Sequence, residues 1–347
     1  LEEIGVGRSP RSLAIGPNGR IWVANKGAST LSVVGADSLV VESTMQLPHG
    51  AQPHGLATDP IGGDVFVVLE ALGQLVRLDA NSGAVLDSVE IGANPRHLSI
   101  DPEGSKAYVS RFVTPPVSGE SGTSPDPQTG DGGEVIVVSI ASDLQVEETI
   151  LLETSTRPDG LASARGVPNY LGPAAISPDG SQAWVASKQD NVQRGVARDG
   201  NDLIHDNTLR GITSRIDLGT GTADEGERID HDNAGIGSTT LFDLTGNLVF
   251  SALEGSRHVA VIDVYNGAEI VRFKTGRAPQ GLAISPDGRR LYVHNFLSRS
   301  VTVHDISLLV DGVGDTVPTI ATYDAVAEEQ LSGLVLRGKQ LFYDSQD

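Results

Sequence analysis

One phrase recurs along this chain. A proline opens it, an apolar stretch follows, a tight turn interrupts, and an apolar triplet closes it. The clearest copy is Pro279-Gln280-Gly281-Leu282-Ala283-Ile284-Ser285-Pro286-Asp287-Gly288 followed by Leu291-Tyr292-Val293. Pro53-His54-Gly55-Leu56-Ala57-Thr58-Asp59-Pro60 with Val65-Phe66-Val67 is another. The same phrase starts at Pro10 and Pro95, with triplets Ile21-Trp22-Val23 and Ala107-Tyr108-Val109. Looser copies start at Pro173 and Thr239, with triplets Ala183-Trp184-Val185 and Leu248-Val249-Phe250. Pro presets φ and Gly accepts a positive φ, so Pro-Asp-Gly marks a tight turn between two strands. A repeat of roughly 40 residues made of short strands is the signature of a β-propeller.

The expected fold is therefore all-β, a propeller of four-stranded antiparallel blades, with inner strands near Ser12, Gly55, His97, Ala174, Thr239 and Gly281. Six repeats are visible and seven blades are open as an alternative. Leu1-Glu2-Glu3-Ile4-Gly5-Val6-Gly7 matches the outer strand Leu86-Asp87-Ser88-Val89-Glu90-Ile91-Gly92. It could seal a ring of six blades, or belong to a blade completed by strands outside this sequence or by residues 317–326. Pairing the ends would remove exposed sheet edges. The propeller is expected over 1–325 and a short helical tail over 326–347. The tail segment Leu336-Arg337-Gly338-Lys339-Gln340-Leu341-Phe342 is amphipathic.

Composition fits many tight turns, with 41 Gly and 18 Pro in 347 residues. No Cys is present, which excludes disulfides, thiolate metal sites and covalent c-type haem within this chain. The net charge of −20 argues against nucleic acid or anionic membrane as the main partner. It suits an acidic solvated surface, cation binding or a basic partner. No apolar run approaches the ~18 residues needed to span a membrane. The first residue is Leu rather than Met, consistent with removal of a leader, and a periplasmic or extracellular location is expected.

Four segments exceed ordinary turn length: 112–133, 154–172, 188–211 and 230–237. All fall at connections that lie on one face of a propeller, and long loops are commonly functional or disordered. The segment 188–211 and its neighbour are rich in oxygen donors. Asp190, Asn191, Asp199, Asn201, Asp202 and Asp206 are candidate ligands for a hard cation such as Ca2+, which takes six to eight oxygens. Turn-capping Asx hydrogen bonds are the competing explanation for them. Arg165, Tyr170, Lys188, Arg194, His205, His231, Asp232, Glu254 and Arg257 are candidates for a ligand or partner face. Lys26, Glu70, Phe112, Lys188, Glu254 and Phe296 each follow the second strand of a repeat and are expected at its mouth, near His54. No nucleophile elbow, phosphate loop or His-Glu-x-x-His motif occurs.

The repeats resemble the YVTN-type propellers. A narrower resemblance rests on Arg165-Gly166-Val167-Pro168-Asn169-Tyr170-Leu171-Gly172, Ser187-Lys188-Gln189-Asp190-Asn191-Val192-Gln193-Arg194-Gly195, Ser214-Arg215-Ile216-Asp217-Leu218 and Gly276-Arg277-Ala278-Pro279-Gln280. These are similar to the propeller region of exported bacterial proteins that also carry a di-haem cytochrome c peroxidase-like domain. Leu336-Arg337-Gly338-Lys339-Gln340-Leu341-Phe342-Tyr343-Asp344 resembles the first helix of such haem domains. The resemblance implies a non-catalytic, exported module that binds a partner through its looped face, the partner being a di-haem c-type cytochrome domain or another protein. Haem and any peroxidase-like chemistry would then lie outside this chain. The alternative is a metal-dependent lactonase or lyase with a site at the mouth of the propeller.

Overall fold

The computed structural model describes residues 3–17, 19–116, 131–158, 164–191 and 209–343. Each repeat becomes an antiparallel sheet built in chain order. The first holds β1 (Pro10–Ile15), β2 (Ile21–Asn25), β3 (Thr30–Val34) and β4 (Val41–Gln46). The second holds β5 (Pro53–Thr58), β6 (Val65–Leu69), β7 (Gln74–Leu78) and β8 (Val85–Glu90). The third holds β9 (Pro95–Ile100), β10 (Lys106–Arg111), β11 (Gly132–Ser139) and β12 (Gln145–Glu153). In the fourth, the inner strand is split into β13 (Val167–Asn169) and β14 (Ala174–Ile176), both paired to β15 (Gln182–Asp190), followed by β16 (Leu209–Asp217) and β17 (Ile229–His231). The fifth holds β18 (Gly237–Phe242), β19 (Leu248–Leu253), β20 (His258–Asp263) and β21 (Ala268–Lys274). The sixth holds β22 (Pro279–Ile284), β23 (Arg290–Asn295), β24 (Ser300–Asp305) and β25 (Thr319–Asp324). These are the six blades of a β-propeller.

The ends of the chain differ from expectation. Segment 317–326 supplies β25, which pairs with β24 as Ser300↔Asp324 and Val301↔Tyr323 and so completes the sixth blade. It does not contribute to a seventh. Residues 3–9 form no strand. The tail forms helix α2 (Gly333–Tyr343) after a single helical turn, α1 (Ser307–Val310). No described helix is long and apolar enough to cross a membrane.

The chain divides into two compact units, Leu1–Val113 with Glu134–Ile150, and Thr114–Gly133 with Leu151–Asp347. In the first unit, every residue of β6 is buried. Alternation sends Val65, Val67 and Leu69 to Trp22, Leu31 and Val33 of the first blade. Phe66 and Val68 go the other way, to Ala107, Val109 and Ile136 of the third. In the second unit, β19 repeats the arrangement. Val249 joins Trp184 of the fourth blade, and Phe250 joins Leu291 and Val293 of the sixth. The central strand β6 thus reads as an unbroken apolar run, while outer strands such as β8 alternate with solvent. Leu56 and Leu98 are buried at 7%, yet Leu13, at the same repeat position, is 63% exposed.

The hairpins between first and second strands explain the Pro-Asp-Gly turns. Ser177 N donates to Gln182 O at 2.8 Å, and Asp179 Oδ1 accepts from Ser181 N at 3.1 Å. Gly180 closes the turn at φ +69°, which a side chain would strain.

Phe250 is fully buried between two blades, and Tyr265 is 96% exposed. Phe250→Ala is expected to lower the unfolding free energy by about 3–5 kcal/mol, and Tyr265→Ala by less than about 0.5 kcal/mol. Urea unfolding of the two variants measures this; equal losses would refute the face-to-face core.

Candidate functional site

Four blades enter their inner strand in the same way. The residue before the proline has a positive φ: Ser9 at 56°, Gln52 at 52°, Asn94 at 55° and Ala278 at 52°. Its carbonyl accepts the backbone N–H of the residue that follows the second strand. These bonds are Lys26 to Ser9 at 3.0 Å, Glu70 to Gln52 at 3.2 Å, Phe112 to Asn94 at 2.9 Å and Phe296 to Ala278 at 2.9 Å. The register then shifts just after the proline in β1, β5, β9 and β22. Such a bulge re-aims a side chain. The residues placed there are Arg11, His54, Arg96 and Gln280.

In the first unit these residues build a charged cluster. Glu70 bridges two cations, with Lys26 Nζ 2.8 Å from Oε2 and Arg96 Nη2 2.8 Å from Oε1. Arg96 Nε adds a bond to Oε2 at 3.1 Å, which makes the pair bidentate. Its guanidinium also lies 3.3 Å from the centre of the Phe112 ring, a cation–π contact. Burial raises the Glu70 pKa, but the hydrogen bonds from Arg96 and Lys26 outweigh it and hold the carboxyl below its ordinary value. His54 and His97 meet edge to face, 5.1 Å between ring centres. Burial pushes both imidazoles down, His97 to about 3, and the neighbouring cations add to the effect. Both rings are therefore neutral at pH 7. His54 Nδ1 is buried with no hydrogen-bond partner among the described residues.

In the second unit the described ends of the long segments pack together. Arg157 Nη2 lies 2.9 Å from Asp230 Oδ2, and burial raises the Asp230 pKa. Gln189 Nε2 donates to Ala164 O at 2.7 Å, and Gln189 Oε1 accepts from Arg228 Nη1 at 3.0 Å. Gly211 N donates to Ala234 O at 2.8 Å. Lys188 Nζ sits 3.9 Å from the centre of the Tyr170 ring and 2.8 Å from Asp190 Oδ2. Asn169 Nδ2 donates to the same oxygen at 2.9 Å, and Asn169 Oδ1 accepts from Thr114 N at 3.0 Å.

The remaining candidates are scattered. Arg165 is exposed beside this group. His231 is fully buried. Its Nδ1 is 2.6 Å from Glu269 Oε2 and its Nε2 is 2.8 Å from Thr213 Oγ1, so it braces blades instead of facing solvent. Burial raises Glu269, but hydrogen bonds from His231 and Arg272 prevail and hold it at about 2. The Asp232 backbone carbonyl accepts from Arg272 Nη1 at 2.8 Å. Glu254, raised by burial, accepts from Gln280 Nε2 at 2.8 Å. Arg257 occupies a left-handed position at φ 56°. Of the candidate cation ligands, Asp190 is engaged as above and Asn191 is 8% exposed. Asp199, Asn201, Asp202 and Asp206, with Arg194 and His205, lie outside the described residues. Among the described residues no three His, Cys, Asp or Glu side chains converge to hold a metal ion.

Sequence reasoning placed Lys26, Glu70, Phe112 and His54 near one another but passed over Arg11, Arg96 and His97. The available signal was their position: Arg11 and Arg96 directly follow the proline of the repeat, and His97 comes one residue later.

No family model and no curated protein matches the sequence. Solved structures do match, at identities that show the fold alone. The chain is similar to hydrazine synthase of Kuenenia stuttgartiensis, with 15% identity and a TM-score of 0.52 over 88% of this chain and 98% of that one. It is also similar to the Cps50 (Swd1) β-propeller domain of Myceliophteria thermophila, with 11% identity and a TM-score of 0.63 over 95% and 90% of the two chains. A third match is a chain of a mitotic checkpoint complex, with 14% identity and a TM-score of 0.63 over 93% and 80%. The class these define is the β-propeller.

His97 binds its proton at about pH 3 when folded and near 6.5 when unfolded. The stability it contributes is complete above pH 6.5 and is lost as pH falls, because the unfolded chain takes up the proton first. The stability gap between the parent and His97→Gln should shift against the parent by up to about 1.4 kcal/mol per pH unit below 6.5. Urea titrations at pH 7.5, 6 and 5 check this; a gap independent of pH would contradict it.

Proposed function

We propose that this chain is a non-catalytic binding module whose partner is another protein. The observation that carries the reading is helix α2. None of its 11 residues is buried. Leu334 is 86% and Phe342 81% exposed. A helix this short is marginal in water without tertiary packing, so an apolar side left uncovered is a surface for a partner. The helix is tethered to the sixth blade. Arg299 Nε lies 2.8 Å from Glu329 Oε2 just before it, and Lys339 Nζ lies 4.7 Å from the centre of the Phe296 ring.

Two further features support a scaffold that presents surfaces. The loop-bearing ends of the blades are fixed by the repeated bond between the residue after the second strand and the residue before the proline. One similar chain comes from a mitotic checkpoint complex, an assembly of proteins.

The resemblance of the repeats to YVTN-type propellers, and of the tail to the first helix of a di-haem domain, gives the partner its chemistry. It would be a di-haem c-type cytochrome domain, in cis or in trans, outside the cytoplasm. In this reading the propeller positions a substrate or protein against the haems. Oxygens of Asp190, Asn191, Asp199, Asn201, Asp202 and Asp206 would supply the ligands of a bound Ca2+.

Gel filtration with the cognate di-haem c-type domain, followed by its Soret absorbance, tests the reading. The intact chain should co-elute with the haem protein, and the double variant Leu334→Asp, Phe342→Asp should not. Deleting 328–347 should abolish co-elution while leaving the melting temperature of the propeller nearly unchanged. Separate elution of the intact chain would refute the proposal.

A further inference from the structure

The repeat supplies its own precedent for what an arginine at the start of an inner strand holds. Arg96 follows the proline of the third blade and places its guanidinium on both oxygens of Glu70, at 2.8 and 3.1 Å. Gln280, at the same position in the sixth blade, donates to Glu254 at 2.8 Å. In both cases the partner is a carboxylate on the residue that follows the second strand of the preceding blade. Arg11 occupies this position in the first blade. It is exposed and forms no ion pair with a described residue.

Arg11 lines an open cavity of about 830 Å³ in the first unit, together with Arg8, Lys26, Ser29, His49 and Gln52. Among the described residues no acidic one lines it, although the chain carries 45 Asp and Glu against 25 Lys and Arg. The other two cations already have partners. Arg8 Nη2 donates to Gly27 O at 2.8 Å, and Lys26 Nζ pairs with Glu70 at 2.8 Å. They supply positive potential, while Arg11 keeps its planar fork of donors open. A guanidinium of this kind matches a carboxylate with two parallel hydrogen bonds. The volume lies within the ~300–1,000 Å³ usual for small-molecule sites.

We infer that this cavity binds a small carboxylate anion, which Arg11 holds as Arg96 holds Glu70, within the positive field of Arg8 and Lys26. The inference does not rest on the proposed docking helix, so the two readings stand or fall independently.

Isothermal titration of the intact chain with succinate, citrate and inorganic phosphate, at low and matched ionic strength, tests the inference. One of the carboxylates should bind saturably at one site. Arg11→Gln should weaken that binding by at least about tenfold, since a hydrogen bond to a charged group contributes about 1.5–3 kcal/mol. The variant should retain the parent's melting temperature, because Arg11 is exposed. Arg20→Gln, which removes a surface pair with Glu42, should bind as the parent does. The inference is overturned by saturable binding of neither carboxylate, by preference for phosphate over both, or by undiminished affinity in Arg11→Gln.

Discussion

The structure depends on central strands that are apolar on both sides. β6 and β19 each send alternate residues to two neighbouring blades, so no blade can bury its core alone. That requirement explains why the fold appears as a repeat, and why β6 is apolar throughout. It also leaves the outer strands free to vary. Strands such as β8 alternate with solvent.

Chemistry gathers at the inner ends of the blades because the backbone there is fixed twice. A positive-φ residue precedes the proline, and a bulge follows it. The first receives the N–H of the neighbouring turn, and the second rotates the next side chain out of the sheet. The outcome is a set of equivalent positions whose side chains differ: Arg11, His54, Arg96 and Gln280. Identical geometry with different chemistry is how a repeat fold acquires an asymmetric site. In the first unit the result is cationic, with Glu70 as the acid between Lys26 and Arg96. In the second the acid is Glu254, held by the uncharged Gln280.

Burial lowers His54 and His97 in the first unit and raises Asp230 and Glu254 in the second. His54 and His97 are kept neutral by desolvation beside cations. His231, equally enclosed, is ordered by Glu269 and Thr213 and braces the fourth and fifth blades. A histidine inside a loop-rich segment therefore carried no information on whether it faced solvent. That depended on which residues the adjoining blade placed against it, and Glu269 is 38 residues away in the chain.

The sequence by itself determined the fold class, the starts of the six inner strands and the turns, because strand alternation and Pro-Asp-Gly chemistry are local. Proximity of Lys26, Glu70 and Phe112 was legible for the same reason, since repeat position stands in for spatial position. Three things were decided only by tertiary structure. The strand at 319–324 pairs with β24 because its partner edge was open there, a choice that local pattern does not encode. The split of the fourth inner strand follows from Tyr170 at φ 54°, a backbone state that its residue type does not announce. The pairing of Arg96 with Glu70 arises from contact between the second and third blades. Equivalent residues in a repeat share a geometry, but whether each meets a partner depends on the blade beside it.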